Sequence, residues 1–144
     1  MRSAVRTIAA AALALAVVPP AHAQPRLFES HSARAAGGRM DISVREIERR
    51  PRASVLAIEI REVGSSVGAS FFLLCSVRKL AKQRGGSNYV VKLEEVPARG
   101  QMLVGFLKSA DESPALTDPA FAAAAGKAQV IELEQFGAIC DPMM

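Results

Sequence analysis

The sequence predicts a single small α+β domain, with one main amphipathic helix packed on a mostly antiparallel sheet, in the order β-β-α-β-β-α-β. Three observations predict it. Residues 67–84 carry an apolar stripe at helical spacing. Five shorter runs are rich in Val, Ile and Leu or alternate apolar with polar residues, as strands do. The connections between the first two runs and between the third and fourth are short, which suits antiparallel neighbours.

The chain begins MRSAVRTIAAAALALAVVPPAHAQ. Arg2 and Arg6 precede an apolar stretch from Thr7 to Val18, and Ala21-His22-Ala23 follows two prolines. This is the layout of a secretory signal peptide cleaved after Ala23. The apolar stretch is 12 residues, too short to span a bilayer, which takes about 20. No cysteine sits at the cleavage point and the two arginines are not adjacent, so neither a lipoprotein nor twin-arginine export is indicated. The expected location is the periplasm or outside the cell. Without residues 1–23 the net charge drops from +4 to +2. A charge that small points to no special partner. Residues 24–38 are polar and small and end in two glycines, and they read as a flexible leader before a domain at 39–144.

The first strand follows from Met40, Ile42 and Val44 alternating with Asp41, Ser43 and Arg45. EIERRPR, broken by Pro51, reads as a charged connection. Val55 to Glu62 is the second strand, hairpin partner of the first. In the helix, Ala69, Ser70, Leu73, Leu74, Val77, Leu80 and Ala81 share one stripe, and Arg78, Lys79, Lys82 and Gln83 lie opposite. Gly85-Gly86 supplies the left-handed stop. Asn88 to Val96 is a strand with Tyr89, Val91 and Leu93 on one face and Lys92 and Glu94 on the other. Pro97-Ala98-Arg99-Gly100 turns into the strand from Gln101 to Ser109. Asp118-Pro119 opens a short helix over PAFAAAAG. A last strand is expected at about 129–136.

Gly64-Ser65-Ser66-Val67-Gly68 fits G-x-S-x-G, the nucleophile elbow of α/β-hydrolases, in a strand–turn–helix context. That chemistry needs a histidine base and an acidic orienter, both later in the chain than the serine. No histidine follows Ser66, and His31 lies in the leader. The local reading is that Ser65 or Ser66 caps the free N–H groups at the helix start. No catalytic residue is assigned. With one histidine and two cysteines beyond residue 23, no metal-ligand spacing is present, and no phosphate- or dinucleotide-binding glycine motif either, so no metal or other cofactor is expected. The Arg45, Arg49, Arg50, Arg52 cluster is interrupted by Glu46 and Glu48 and lacks interleaved aromatics. It reads as a solvated turn rather than a nucleic-acid surface, and no nucleic-acid partner is expected.

Cys75 and Cys140 are the two cysteines of the chain, and an oxidising compartment favours their pairing. Phe71, Phe72 and Cys75 lie off the main helix stripe, and Phe136 and Ile139 flank Cys140. Docking the tail over the phenylalanines would bury both sets and join the sulfurs. Pairing within one chain and pairing between chains both remain open.

Residues 69–93, a helix followed by Gly85-Gly86, Asn88 and a strand with Val90-Val91, resemble a group of small bacterial envelope proteins of α/β build. These carry signal peptides or lipid anchors, and some serve as envelope-stress sensor modules with disulfide-pinned folds. The resemblance implies an envelope location and brings no catalytic residues. The lipid-anchored members' cysteine is missing here. The expected function is an exported, non-catalytic binding or interaction module, its partner an unknown envelope protein or a small ligand. The alternatives are a small serine hydrolase using Ser66 and a periplasmic ligand-binding protein using an apolar cleft under the helix. No transmembrane segment is expected after residue 23.

Overall fold

The computed structural model describes residues 26–32, 39–124 and 126–143. The expected signal peptide lies outside them, as do residues 24–25 and 33–38 of the expected leader. Six strands form one antiparallel sheet: β1 (Glu29–His31), β2 (Asp41–Arg49), β3 (Ala53–Glu62), β4 (Tyr89–Glu94), β5 (Gln101–Leu107) and β6 (Gln129–Glu132), in spatial order β1-β2-β3-β5-β4-β6. The helices are α1 (Ser66–Gln83), α2 (Ala120–Ala123) and α3 (Gly137–Cys140). The α+β class and the two hairpins, β2–β3 and β4–β5, are those expected from the sequence.

Two crossovers build the rest. β3 and β4 both pair with β5, so α1 carries the chain over one face from β3 to β4. β5 and β6 both pair with β4, and the connection through α2 crosses the other face. The sheet is therefore covered on both sides. Under α1 lie Ile42, Val44, Leu56, Val90, Val104 and Phe106. Under α2 lie Ala53, Val55, Val91, Leu93, Leu103 and Leu107, packed on Phe121. This is why Val90-Val91 and Met102 to Val104 run apolar without alternation: a strand buried on both faces has no solvent side.

Several elements differ from the sequence reading. β1 occupies part of the expected leader. Phe28 is buried in the α1-side core, its carbonyl accepts from the Glu46 N–H at 2.8 Å, and Ser32 Oγ accepts from the Ile42 N–H at 2.7 Å. A three-residue edge strand has too little pattern of its own to be read as one. β2 runs on through the EIER of the expected connection. A bulge at Ile47 sets Glu46 opposite Leu56 and Glu48 opposite Val55. In a regular strand, residues three apart point to opposite faces. The extra residue resets that parity, so Arg49 turns to the side of Glu46. The last strand stops at Glu132, and the chain then closes through a 3-10 turn at Glu134–Phe136 into α3.

The buried face of α1 is also rotated from the expected stripe. Phe72, Cys75 and Ser76 join Ala69, Val77, Leu80 and Ala81 in the interior, while Leu73 and Leu74 are only half-buried. Arg78, expected on the solvent side, is buried because its guanidinium donates to Asp141 at 2.8 Å beside α3. The helix ends as the glycine pair dictates. Gly86 N–H donates to the Ala81 carbonyl at 2.9 Å, with Gly85 and Gly86 both at positive φ.

Candidate functional site

Ala69, Phe72, Val77, Leu80 and Ala81 of α1 pack into the core, while the half-buried Leu73 and Leu74 border an open space between the helix and the sheet. That space is a cleft of about 510 Å³. Its walls are Leu73, Leu74 and Val77 from α1, Ile58 and Met102 from the sheet, and Ile131 from β6, with Phe136 closing one side. Lys92 and Glu94 also line it. They share the helix-facing side of β4 with buried Val90, since strand side chains alternate.

The sequence reading put Lys92 and Glu94 on the face opposite Tyr89, Val91 and Leu93 without saying what covers that face; it is the one that meets α1. The signal that could have found it is the apolar triplet Tyr89-Val90-Val91. With both faces covered, a charged residue after such a triplet faces a packed layer. The Lys92 ammonium meets the Glu94 carboxylate at 2.6 Å. Exposure rises along the strand, from 0% at Val90 to 26% for the Lys92 side chain and 68% for that of Glu94. Glu95, next in the chain, lines the cleft and accepts from Gly100 N–H at 3.0 Å. Gln101, Gln129 and Gln135 complete a polar rim.

The serine pair has another role. Ser65 is the N-cap of α1, with extended backbone, and its Oγ accepts from Gly68 N–H at 3.0 Å. Ser66 is the first helical residue and is exposed. Among the described residues no hydrogen bond links Ser66 to a histidine or a carboxylate. The His31 ring instead meets Glu29 at 2.8 Å on β1. Of the two candidates, Ser65 alone caps. Among the described residues no three His, Cys, Asp or Glu side chains gather where they could hold a metal ion.

Cys75 and Cys140 are joined within the chain, with Cα atoms 5.2 Å apart and both residues buried. The bond fastens α3 to the middle of α1. Phe136 lies between this fastening and β6, so the disulfide holds one wall of the cleft in place. Phe72, expected with Phe71 under the tail, is among the most buried side chains. It fills the core, and Phe71 is half-buried.

A buried polar network at the opposite end of α1 escaped the sequence reading. The Glu46 side chain is fully buried. It accepts from Ser54 Oγ at 2.7 Å, Phe28 N–H at 3.1 Å and Arg49 Nε at 2.9 Å, and Arg84 stands 3.5 Å away. Burial is the largest influence on the Glu46 carboxyl and opposes ionisation. The hydrogen bonds from Arg49, Ser54 and Phe28 together outweigh it and hold its pKa at about 2. Arg84 lies over the Phe106 ring and donates to the Arg50 carbonyl at 2.7 Å. Burial lowers its pKa. Both carboxylate oxygens of Glu46 are engaged within the fold, so this side chain ties Arg84 at the end of α1, the chain at Phe28 just before β1, and Arg49 and Ser54 beside the β2–β3 turn together. The remaining arginines of the turn are also paired, Arg50 with Glu48 and Asp118 and Arg52 with Glu112.

No helix among the described residues is long and apolar enough to cross a membrane. No protein-family model matches the chain, no curated protein matches its sequence, and no solved structure matches its fold.

Proposed function

We propose that this chain is an exported, non-catalytic binding domain, and that it takes a small amphipathic molecule in the cleft between α1 and the sheet. The observation that carries the reading is the cleft itself. Interiors of small domains are normally packed to crystal-like density. Here an open cleft remains beside the core, lined by Leu73, Leu74, Met102 and Ile131. Pockets that hold small ligands run to roughly 300–1,000 Å³, and they combine apolar walls with a few polar groups. At about 30 Å³ for each water-sized group, the cleft takes about 17 non-hydrogen atoms. At about 0.3 kcal/mol per atom this gives about 5 kcal/mol, or a Kd of order 10⁻⁴ M.

The non-catalytic reading is supported by the exposed Ser66 with no base beside it and by the structural use of Glu46. Export is supported by the residue 1–23 layout and by a disulfide, which persists in oxidising compartments.

Titration with N-phenyl-1-naphthylamine, a neutral apolar dye, tests the site. Saturable binding is expected for the native protein and its loss for Leu74→Trp, which fills the cleft, with the unfolding midpoint of each protein as control. Saturable binding retained by a folded Leu74→Trp would overturn the assignment. Intact mass of exported material tests the compartment: the chain is expected to start at Gln24.

A further inference from the structure

The order of groups along β4 narrows the ligand class, an inference that rests on the cleft being the binding site. The helix-facing side of β4 runs outward from Val90, which is buried in the core and does not line the cleft, to the Lys92 ammonium and then the Glu94 carboxylate, which do, with Glu95 beside them. The rise in exposure, from 0% to 26% to 68%, fixes which end is open. Apolar, positive, negative is the sequence a bound amphiphile has to complement with apolar, negative, positive. We propose that the cleft takes a single-chain amphiphile with a zwitterionic head whose anionic group is next to the chain and whose ammonium is at the far end.

Three points of chemistry support this class over its neighbours. The charged lining is one ammonium and two carboxylates, so a purely anionic head meets net repulsion at the mouth. A purely cationic head finds carboxylates there but leaves Lys92 with no new partner. A neutral head makes use of neither. The anion-proximal zwitterion exchanges the Lys92–Glu94 pair for two intermolecular pairs, and the exchange is inexpensive because Glu94 is largely in solvent, where such pairs are weak. The chain lies against Val77, Ile131 and Leu74, and the amide side chains of Gln129 and Gln135 can donate to the anionic group. Beside the apolar groups of the cleft, Ile58, Leu74, Val77, Met102 and Ile131, the Lys92 ammonium pairs, among the described residues, only with the largely exposed Glu94. An apolar residue there would have closed the core.

Two detergents with the same C12 chain and zero net charge separate the order of charges from everything else. Dodecylphosphocholine carries phosphate next to the chain and ammonium outside. Dodecyl sulfobetaine carries the reverse. Both are titrated calorimetrically into the purified protein below their micelle concentrations, with dodecyl maltoside as the uncharged reference. The phosphocholine is expected to bind about tenfold more tightly than the sulfobetaine, the size of two weak ion pairs gained rather than opposed. Lys92→Met, which keeps the apolar stem and removes the charge, is expected to bring that ratio close to one without lowering the unfolding midpoint. Equal binding of the two zwitterions, or a preference for the sulfobetaine, overturns the charge-order inference and leaves the cleft as a binding site. Failure of all three C12 compounds and of the naphthylamine dye overturns the site itself.

Discussion

Glu46→Gln removes the charge of the most enclosed carboxylate and keeps its shape. The side chain is fully buried and receives hydrogen bonds from Arg49, Ser54 and the Phe28 N–H, which hold its pKa at about 2 against an ordinary 4.5. At about 1.4 kcal/mol per pH unit, that difference is worth about 3 kcal/mol of stability. Because the folded pKa is the lower one, the stabilisation is complete above the unfolded pKa of 4.5. It is lost as pH falls toward 2. Urea midpoints at pH 6 should therefore place Glu46→Gln about 3 kcal/mol below the native protein. By pH 3 most of the advantage has gone, and the gap should narrow to about 1 kcal/mol. Other carboxylates titrate in the same range, but they do so in both proteins, so the gap isolates Glu46. A gap that stays constant from pH 6 to pH 3 would refute the claim that the buried ionised carboxylate is what stabilises. A variant as stable as the native protein at pH 6 would refute the network altogether.

Breaking the disulfide by Cys75→Ala with Cys140→Ala should lower stability by about 4 kcal/mol, from chain entropy over the 65-residue separation, and equal urea midpoints would contradict it. Ser65→Ala should cost about 1 kcal/mol through the lost Gly68 cap, whereas Ser66→Ala should cost little, and the reverse ranking would reassign the cap. At Gly105 an added Cβ would sit 2.9 Å from both Phe121 Cε2 and Val91 Cγ1, so Gly105→Ala should cost at least 1–3 kcal/mol by overpacking in thermal melts, and an unchanged melt would mean that α2 is not held so close.

The helix, the two hairpins and the α+β class were legible because each rests on local pattern: alternation in β2 and β3, helical spacing in α1, and Gly85-Gly86 at its end. What was not legible depends on what covers a residue. The short helix over α2 was expected, but nothing local says that it crosses the far face of the sheet. Without that cover nothing told which face of β4 meets α1, so the polar lining of the cleft by Lys92 and Glu94 went unseen. Glu46 occupies the place in β2 that continues the Ile42, Val44 series, an apolar register holding a charge. That signal was present in the sequence, but the Ile47 bulge that delivers Arg49 to it was not. β1 was missed because three residues carry no period, and its position comes from the burial of Phe28.

The position of β5 between β3 and β4 divides the sheet against the covalent connectivity. The disulfide closes a ring running from Cys75 to Cys140, which contains β4, β5, α2 and β6 and leaves β1, β2 and β3 outside. Within the sheet the two groups meet along one seam, the five residue pairs from Ala53–Gly105 to Ala57–Gln101. A ring cannot drift far from itself when the fold opens, whereas the three outer strands are held to it by hydrogen bonds, packing and the single link into α1. Amide hydrogens on the two sides of the seam thus belong to groups of different tenacity. Partial opening should begin by peeling β1, β2 and β3 away from the tethered remainder, against the Arg84 contacts and the Arg50–Asp118 and Arg52–Glu112 pairs that also join the two groups.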